Sequence, residues 1–236
     1  MSLKEHLQEL NQLQKSLRTA LTEGDEAGQA IQVFYALHSQ LHSRRVTPNI
    51  TWSYEDLLLD GLDEAEFRKI PEGQEHSLAW IVWHLTRVED VTMNLLVAGR
   101  DQVFEKEGWQ EKTRSPFKHT GNGTSLEVAD ALSAVVDINA LRAYRVAVGL
   151  ATQEMVQSLT LSDFKRKVSQ ENVQRILKEG AVLPAGMDVV DYWRRRDVAG
   201  LLLMPPTRHT IVHWNEARKI LDLLKAKLTK SNERRR

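Results

Sequence analysis

The sequence predicts an all-α fold, and three observations carry that expectation. Apolar residues recur at spacings of three and four, no pair of segments alternates as paired strands do, and Gly and Pro fall between the periodic stretches. Leu3, Leu7, Leu10, Leu13, Leu17 and Leu21 form one apolar stripe on a polar helix that Gly24 ends. Asp25 is placed to cap the next helix, which carries Ile31, Phe34, Leu37, His38 and Leu41 and stops at Pro48. Residues 49–75 read as short helical turns capped by Ser53 and Asp63, and residues 76–97 are the most strongly helical stretch. An irregular connection follows Gly99, through Gly108, Trp109, Pro116, Gly121 and Gly123. Thr124 or Ser125 then opens a long helix, with Glu127 in capping-box position, which hesitates at Asp137 and runs to about residue 159. A short helix over 169–178 and a break over 180–186 lead to a last helical region, 188–229, with a kink or restart at Pro205 and Pro206. The chain thus divides into an N-terminal amphipathic helix (1–24), a helical bundle (25–229) and a frayed charged tail (230–236).

Composition narrows the function. The 236 residues carry 32 Lys and Arg against 32 Asp and Glu, and a chain with no net charge is not built to bind nucleic acid. With 42% apolar and 27% charged residues it can bury a core. The absence of Cys excludes disulfides, thiolate nucleophiles and thiolate metal sites, and it fits a reducing, cytoplasmic setting. The first residues are amphipathic and carry acids, unlike a signal or transit peptide. No apolar run approaches the roughly 18 residues that would mark a membrane span.

The histidines hold the chemistry. His84 shares a helix face with Ser77, Ile81, Val88, Val91 and Leu95, so its imidazole falls in a core-facing stripe near Trp80 and Trp83. There it needs a metal or a hydrogen bond, because an unsatisfied buried polar group costs roughly 1–3 kcal/mol. His209 and His213 lie one helical turn apart on one face, close enough to hold one cation. Val212, Ile220 and Leu223 turn that face inward, and Glu216 shares it as an acceptor behind a ligand, a fourth ligand or a general base.

His38 and His42 repeat the spacing, but His42 falls near a helix C-terminus, where the dipole favours a cation. They read as a helix-end histidine with a partly exposed neighbour. His6, His76 and His119 have no partner at useful spacing and read as surface or cap residues. Arg87 is placed either to meet an anion or to hold Glu89. Arg194, Arg195 and Arg196 read as a solvated face, with an anion site as the alternative, and Trp83, Trp109, Trp193 and Trp214 as core, with a pocket lining as the alternative.

The stretch HSLAWIVWHLTRVEDVTMNLLVAGRDQVFEKEGW resembles the DinB-like (DinB/YfiT) metalloenzyme superfamily, whose members carry a similar SIAWLLWH segment ending in a metal-binding histidine. TWSYEDLLLDGLDEAEFRKIP and DINALRAYRVAVGLATQEMV extend the resemblance over roughly residues 29–225. It implies an up-down-down-up four-helix bundle, here with an additional N-terminal helix and short connecting helices. It also implies a three-histidine metal site, His84 with His209 and His213. Three imidazoles suit Zn, Ni or Fe. The activities implied are those of thiol-dependent S-transferases or related hydrolases, in which the metal activates a small-molecule thiol or water. Glu216, from its spacing after His213, is the candidate catalytic carboxylate. Trp-Asn-Glu follows His213 where members often continue with a His-Leu-Gly type of sequence. The other reading is a non-catalytic helical module with a structural or vestigial metal, working through a homodimer or another partner, for which the leucine stripe offers a surface.

Overall fold

The computed structural model describes the backbone of residues 1–233 and the side chains of residues 1–227. Among these residues it is helical throughout, apart from connections and one isolated β-bridge between Lys167 and Asp197. Helix α1 (Leu3–Thr22) starts at a capping box, with Ser2 accepting from the Glu5 amide and Glu5 from the Ser2 amide. It packs along α2 (Ala27–Leu41), and Leu10, Leu17, Ala20 and Leu21 are buried there. The leucine stripe is therefore covered within the chain. Glu26, not Asp25, precedes α2, and it makes no side-chain cap. The helix ends at Leu41, well before Pro48, where His42 turns extended with φ −111° and ψ 161°.

Helices α3 (Tyr54–Leu59) and α4 (Glu64–Arg68) are capped by Ser53 and Asp63 as expected. Every residue of α5 (Leu78–Asp90) is buried, and so is the π-helical stretch Val91–Val97 that extends it. The connection expected to be irregular holds two short helices, α6 (Val103–Lys106) and α7 (Trp109–Thr113). The Asp90 carboxylate explains the first, since it accepts from the Val103 and Phe104 amides at 2.9 Å each. A cap supplied by another helix leaves no local signal in the sequence.

The long helix expected after Ser125 is two. Ser125 makes no side-chain cap to α8 (Leu126–Val135), and Asp137 caps α9 (Ile138–Gln157) by accepting from the Ala140 amide. Helix α10 (Gln170–Lys178) follows its Ser169 cap. The last region, expected to kink or restart once, is broken into α11 (Met187–Arg194), α12 (Val198–Leu202), a π-helical segment Met204–His209, and α13 (Thr210–Glu233). Pro205 and Pro206 lie in the π-helical segment, where two residues without an N–H cannot continue the usual ladder. The Thr207 and Thr210 hydroxyls instead donate to the Leu202 and Pro205 carbonyls, five residues back.

The bundle is formed by α2, α5, α9 and α13. Helix α5 packs on α9 and α13, while α2 packs on α9 and on the π-helical segment. This brings the middle of α5 against the start of α13. The frayed tail expected over 230–236 lies largely outside the described residues; α13 is helical to Glu233.

Candidate metal centre

His84, at the middle of α5, is 3% exposed, and its Nδ1–H donates to the Thr120 carbonyl at 2.6 Å. A carbonyl can only accept, so the proton is fixed on Nδ1 and the Nε2 lone pair faces inward. That Nε2 lies 3.1 Å from Nε2 of His209, and His213 stands beside both, with ring centroids 4.9 and 4.5 Å away. One nitrogen from each of the three rings falls within 4.8 Å of the other two. The sequence therefore named three residues that the fold brings together, although 125 positions separate His84 from His209.

The π-helical segment and α13 share the other two imidazoles. His209 is the last residue of the segment and His213 lies in the first turn of α13. Between them Val212 is 46% exposed, so it does not continue the inward stripe as expected. The wider π-helical turn shifts which residues face the core.

Glu216 takes one of its three expected positions. Its Oε2 accepts from Nδ1 of His213 at 2.7 Å, and its Oε1 from Nδ1 of His76 at 2.6 Å. The carboxylate thus stands behind His213. Burial opposes its charge, but the hydrogen bonds from His213 and His76 outweigh burial and lower its pKa to about 2. His76, expected on the surface, joins this network and stacks on Trp80 at 3.7 Å. Trp80 also stacks on His84 at 4.6 Å, so the indole is held between two imidazoles.

Two of the three donors are held as neutral bases. Burial, followed by the neighbouring His209 and His213, holds His84 well below its ordinary value. Burial and His213 lower His209 to about 3. His209 Nδ1 is buried without a hydrogen-bond partner. Three convergent imidazoles, two with their outer nitrogens fixed by acceptors, fit a divalent cation.

A cavity of about 340 Å³ opens against His209, walled by Val88, Val189, Trp193 and Pro205, with Asn122 and Asp188 as its polar groups. Of the four tryptophans considered for a pocket, only Trp193 lines this one; Trp83 and Trp214 are fully buried core. Arg87 does not hold Glu89 but pairs with the next carboxylate, Asp90, at 3.3 Å. It is fully buried and donates to Asp90, Tyr144, Gln102 and the Lys118 carbonyl, fastening the loop that carries Thr120.

His38 and His42 are the main correction. Neither is exposed at all, and their Nε2 atoms lie 2.9 and 3.0 Å from the two oxygens of Glu89 on α5. Their rings stack at 4.1 Å. Burial first, then the nearby Arg145, push His42 down to about 3, against the helix-end expectation of a cation. His38, His42 and Glu89 also converge closely enough to hold an ion. Each Glu89 oxygen already receives an imidazole N–H, and the Arg145 guanidinium stands 3.9 Å away, so a second cation there would meet a fixed positive charge. His119, expected at the surface, is 7% exposed and stacks on Phe117, and His6 stacks on Trp52.

Among the described residues, no helix is long and apolar enough to cross a membrane. No curated protein matches the chain. A family model described as the DinB superfamily matches residues 50–183. The match takes in His84, its Thr120 partner and helices α8 and α9, and ends before His209 and His213, whose pairing with His84 stands on the geometry above. With more than half of its length matched and an all-helical bundle around the buried histidine of α5, the chain belongs to the DinB superfamily.

Proposed function

We propose that the protein is a metal-dependent transferase or hydrolase whose cation is held by His84, His209 and His213. One observation carries this reading: the three imidazoles converge beside a cavity, and the tautomer of His84 leaves its Nε2 free toward the other two. When bound, the cation would lower the pKa of a small-molecule thiol or of water, supplying a nucleophile at neutral pH. Three protein ligands with adjoining open space is the pattern of a catalytic site rather than a closed structural one.

The chain's own residues do the rest. The Thr120 carbonyl and Glu216 orient His84 and His213, and Trp80, backed by His76, stacks on the first. Val88, Val189, Trp193 and Pro205 offer an apolar wall for an electrophile and exclude water. In the transferase form, the thiol gives up its proton and its sulfur forms a bond to carbon as the leaving group departs. In the hydrolase form, water takes the thiol's place. The thiol comes from a small molecule, since the chain has no Cys. Glu216, with both oxygens engaged and its pKa near the bottom of the carboxylate range, serves as a positioning residue rather than a base.

Elemental analysis of protein purified without chelator or affinity metal tests this reading. About one equivalent of Zn, Ni or Fe is expected, lost in His84→Ala and in His213→Ala. Metal absent, or unchanged in both variants, would overturn it. A positive result leads to assays of thiols against carbon electrophiles, with loss of turnover in the same variants.

A further inference from the structure

A groove of about 570 Å³ runs between α1 and the stretch from Tyr192 to Arg208, and four of its ten lining residues are Lys15, Arg18, Arg196 and Arg208. No acidic residue lines it. None of the four cations forms an ion pair among the described residues, in a chain whose acids and bases balance overall. Elsewhere on the surface Arg44 pairs with Asp56, Arg142 with Asp60, Arg166 with Asp163 and Arg175 with Glu179, while Arg45, Arg114 and Arg195 form no ion pair among the described residues; the groove differs in gathering four such cations in one place. Within the Arg194–Arg196 run, Arg195 is exposed with no ion pair among the described residues and does not line the groove. Arg194 pairs with Asp191 at 2.6 Å and lies outside the groove, whereas Arg196 enters it unpaired.

Arg196 is also held in place. Its guanidinium lies 4.3 Å from the centre of the Tyr192 ring. Behind it is Gly200, where a Cβ would come within 3.2 Å of Arg196 Cδ, so the absence of a side chain leaves room for the arginine to lie flat. Helix α1 is fixed on the opposite wall, with Gln14 donating to the Leu203 carbonyl at 2.9 Å. Tyr192 and Met204 line both this groove and the cavity beside His209, so the two spaces share a wall.

We propose that the groove binds the anionic end of a small molecule, bearing phosphate or several carboxylates, whose apolar reacting part lies in the cavity beside His209. The second half of this statement rests on the function proposed above; the anion site itself does not. Guanidinium groups match phosphate and carboxylate geometry, and four unneutralised cations around one groove favour a multiply charged anion over a single carboxylate. The helix added before the bundle thereby acquires a role, since α1 contributes Lys15 and Arg18.

Calorimetric titration of metal-free protein with pyrophosphate and with citrate tests the site; removing the metal keeps chelation by either anion from imitating binding. Saturable binding is expected, weakening as NaCl is added. It should be about tenfold or more weaker in the double variant Lys15→Glu/Arg196→Glu and in Arg18→Glu, and unchanged in Arg194→Glu. Tighter binding of pyrophosphate would mark a phosphate-bearing ligand, and tighter binding of citrate a polycarboxylate. No saturable heat with either anion, or equal affinity in the groove variants and the wild type, would overturn the proposal. Metal content measured on separate samples of the same variants should stay at the wild-type level, so a failed anion site and a failed metal site give different results.

Discussion

Glu216 gives each oxygen to a different imidazole, one on its own helix and one just before α5, so a single carboxylate ties two elements together at the candidate centre. Glu216→Gln keeps the size but leaves only one oxygen able to accept. Metal affinity, read by competition with a chromophoric chelator, is expected to fall about 10–100-fold while the far-ultraviolet circular dichroism stays the same. At the neighbouring cluster, Gly149 is what lets α9 approach His42: a Cβ there would lie 2.7 Å from His42 Nδ1 and 3.0 Å from Val46 Cγ2. Gly149→Ala is therefore expected to cost about 1–3 kcal/mol of stability in urea denaturation. At this scale the sequence was uneven. Helical spacing put His84 and the pair His209 and His213 on inward-reading faces, and the family resemblance joined them into one candidate set. His38 and His42 were misread because their burial comes from Glu89 and Arg145 on other helices, and nothing local announces it. His76 and the Thr120 carbonyl were missed because one precedes its helix and the other is backbone in a loop.

At the scale of elements, the segment Met204–His209 decides the aim of His209. Pro205 and Pro206 were legible as a kink or restart, but its form depended on threonine hydroxyls reaching five residues back. Pro205→Ala/Pro206→Ala restores two amide donors and favours an ordinary α-helical ladder, which would rotate His209 relative to His213. The expected outcome is weaker metal binding with thermal stability equal to or above the wild type, measured by chelator competition and by melting. Boundaries set by side chains within three residues, such as the Ser53 and Asp63 caps, followed from sequence. Those set by remote groups did not, and α6 under Asp90 is the clearest case.

For the whole molecule, the buried histidines link folding to pH. His42 and His209 are lowered to about 3 and His84 lies well below 6.5, each chiefly by burial, so the folded chain keeps them neutral. The unfolded chain protonates them below about 6.5. Protons therefore bind preferentially to the unfolded state between these values. The stabilisation is complete above pH 6.5 and lost as pH falls toward 3, at up to about 1.4 kcal/mol per pH unit for each histidine. Urea midpoints measured in chelator from pH 7.5 to 4 should hold above about 6.5 and fall below it; a flat profile would contradict the neutral-imidazole description.

The separation of the three imidazoles along the chain, with His84 and His209 125 positions apart, has a consequence for how the protein is maintained. No local fragment can present them together, so a ligand of this centre binds the native state and ignores the unfolded one. Mass action then makes occupancy a folding reagent: a ligand at a hundred times its dissociation constant adds about 2.7 kcal/mol to the unfolding free energy. The supply of that ligand would govern how long the chain survives proteolysis as well as what it can do.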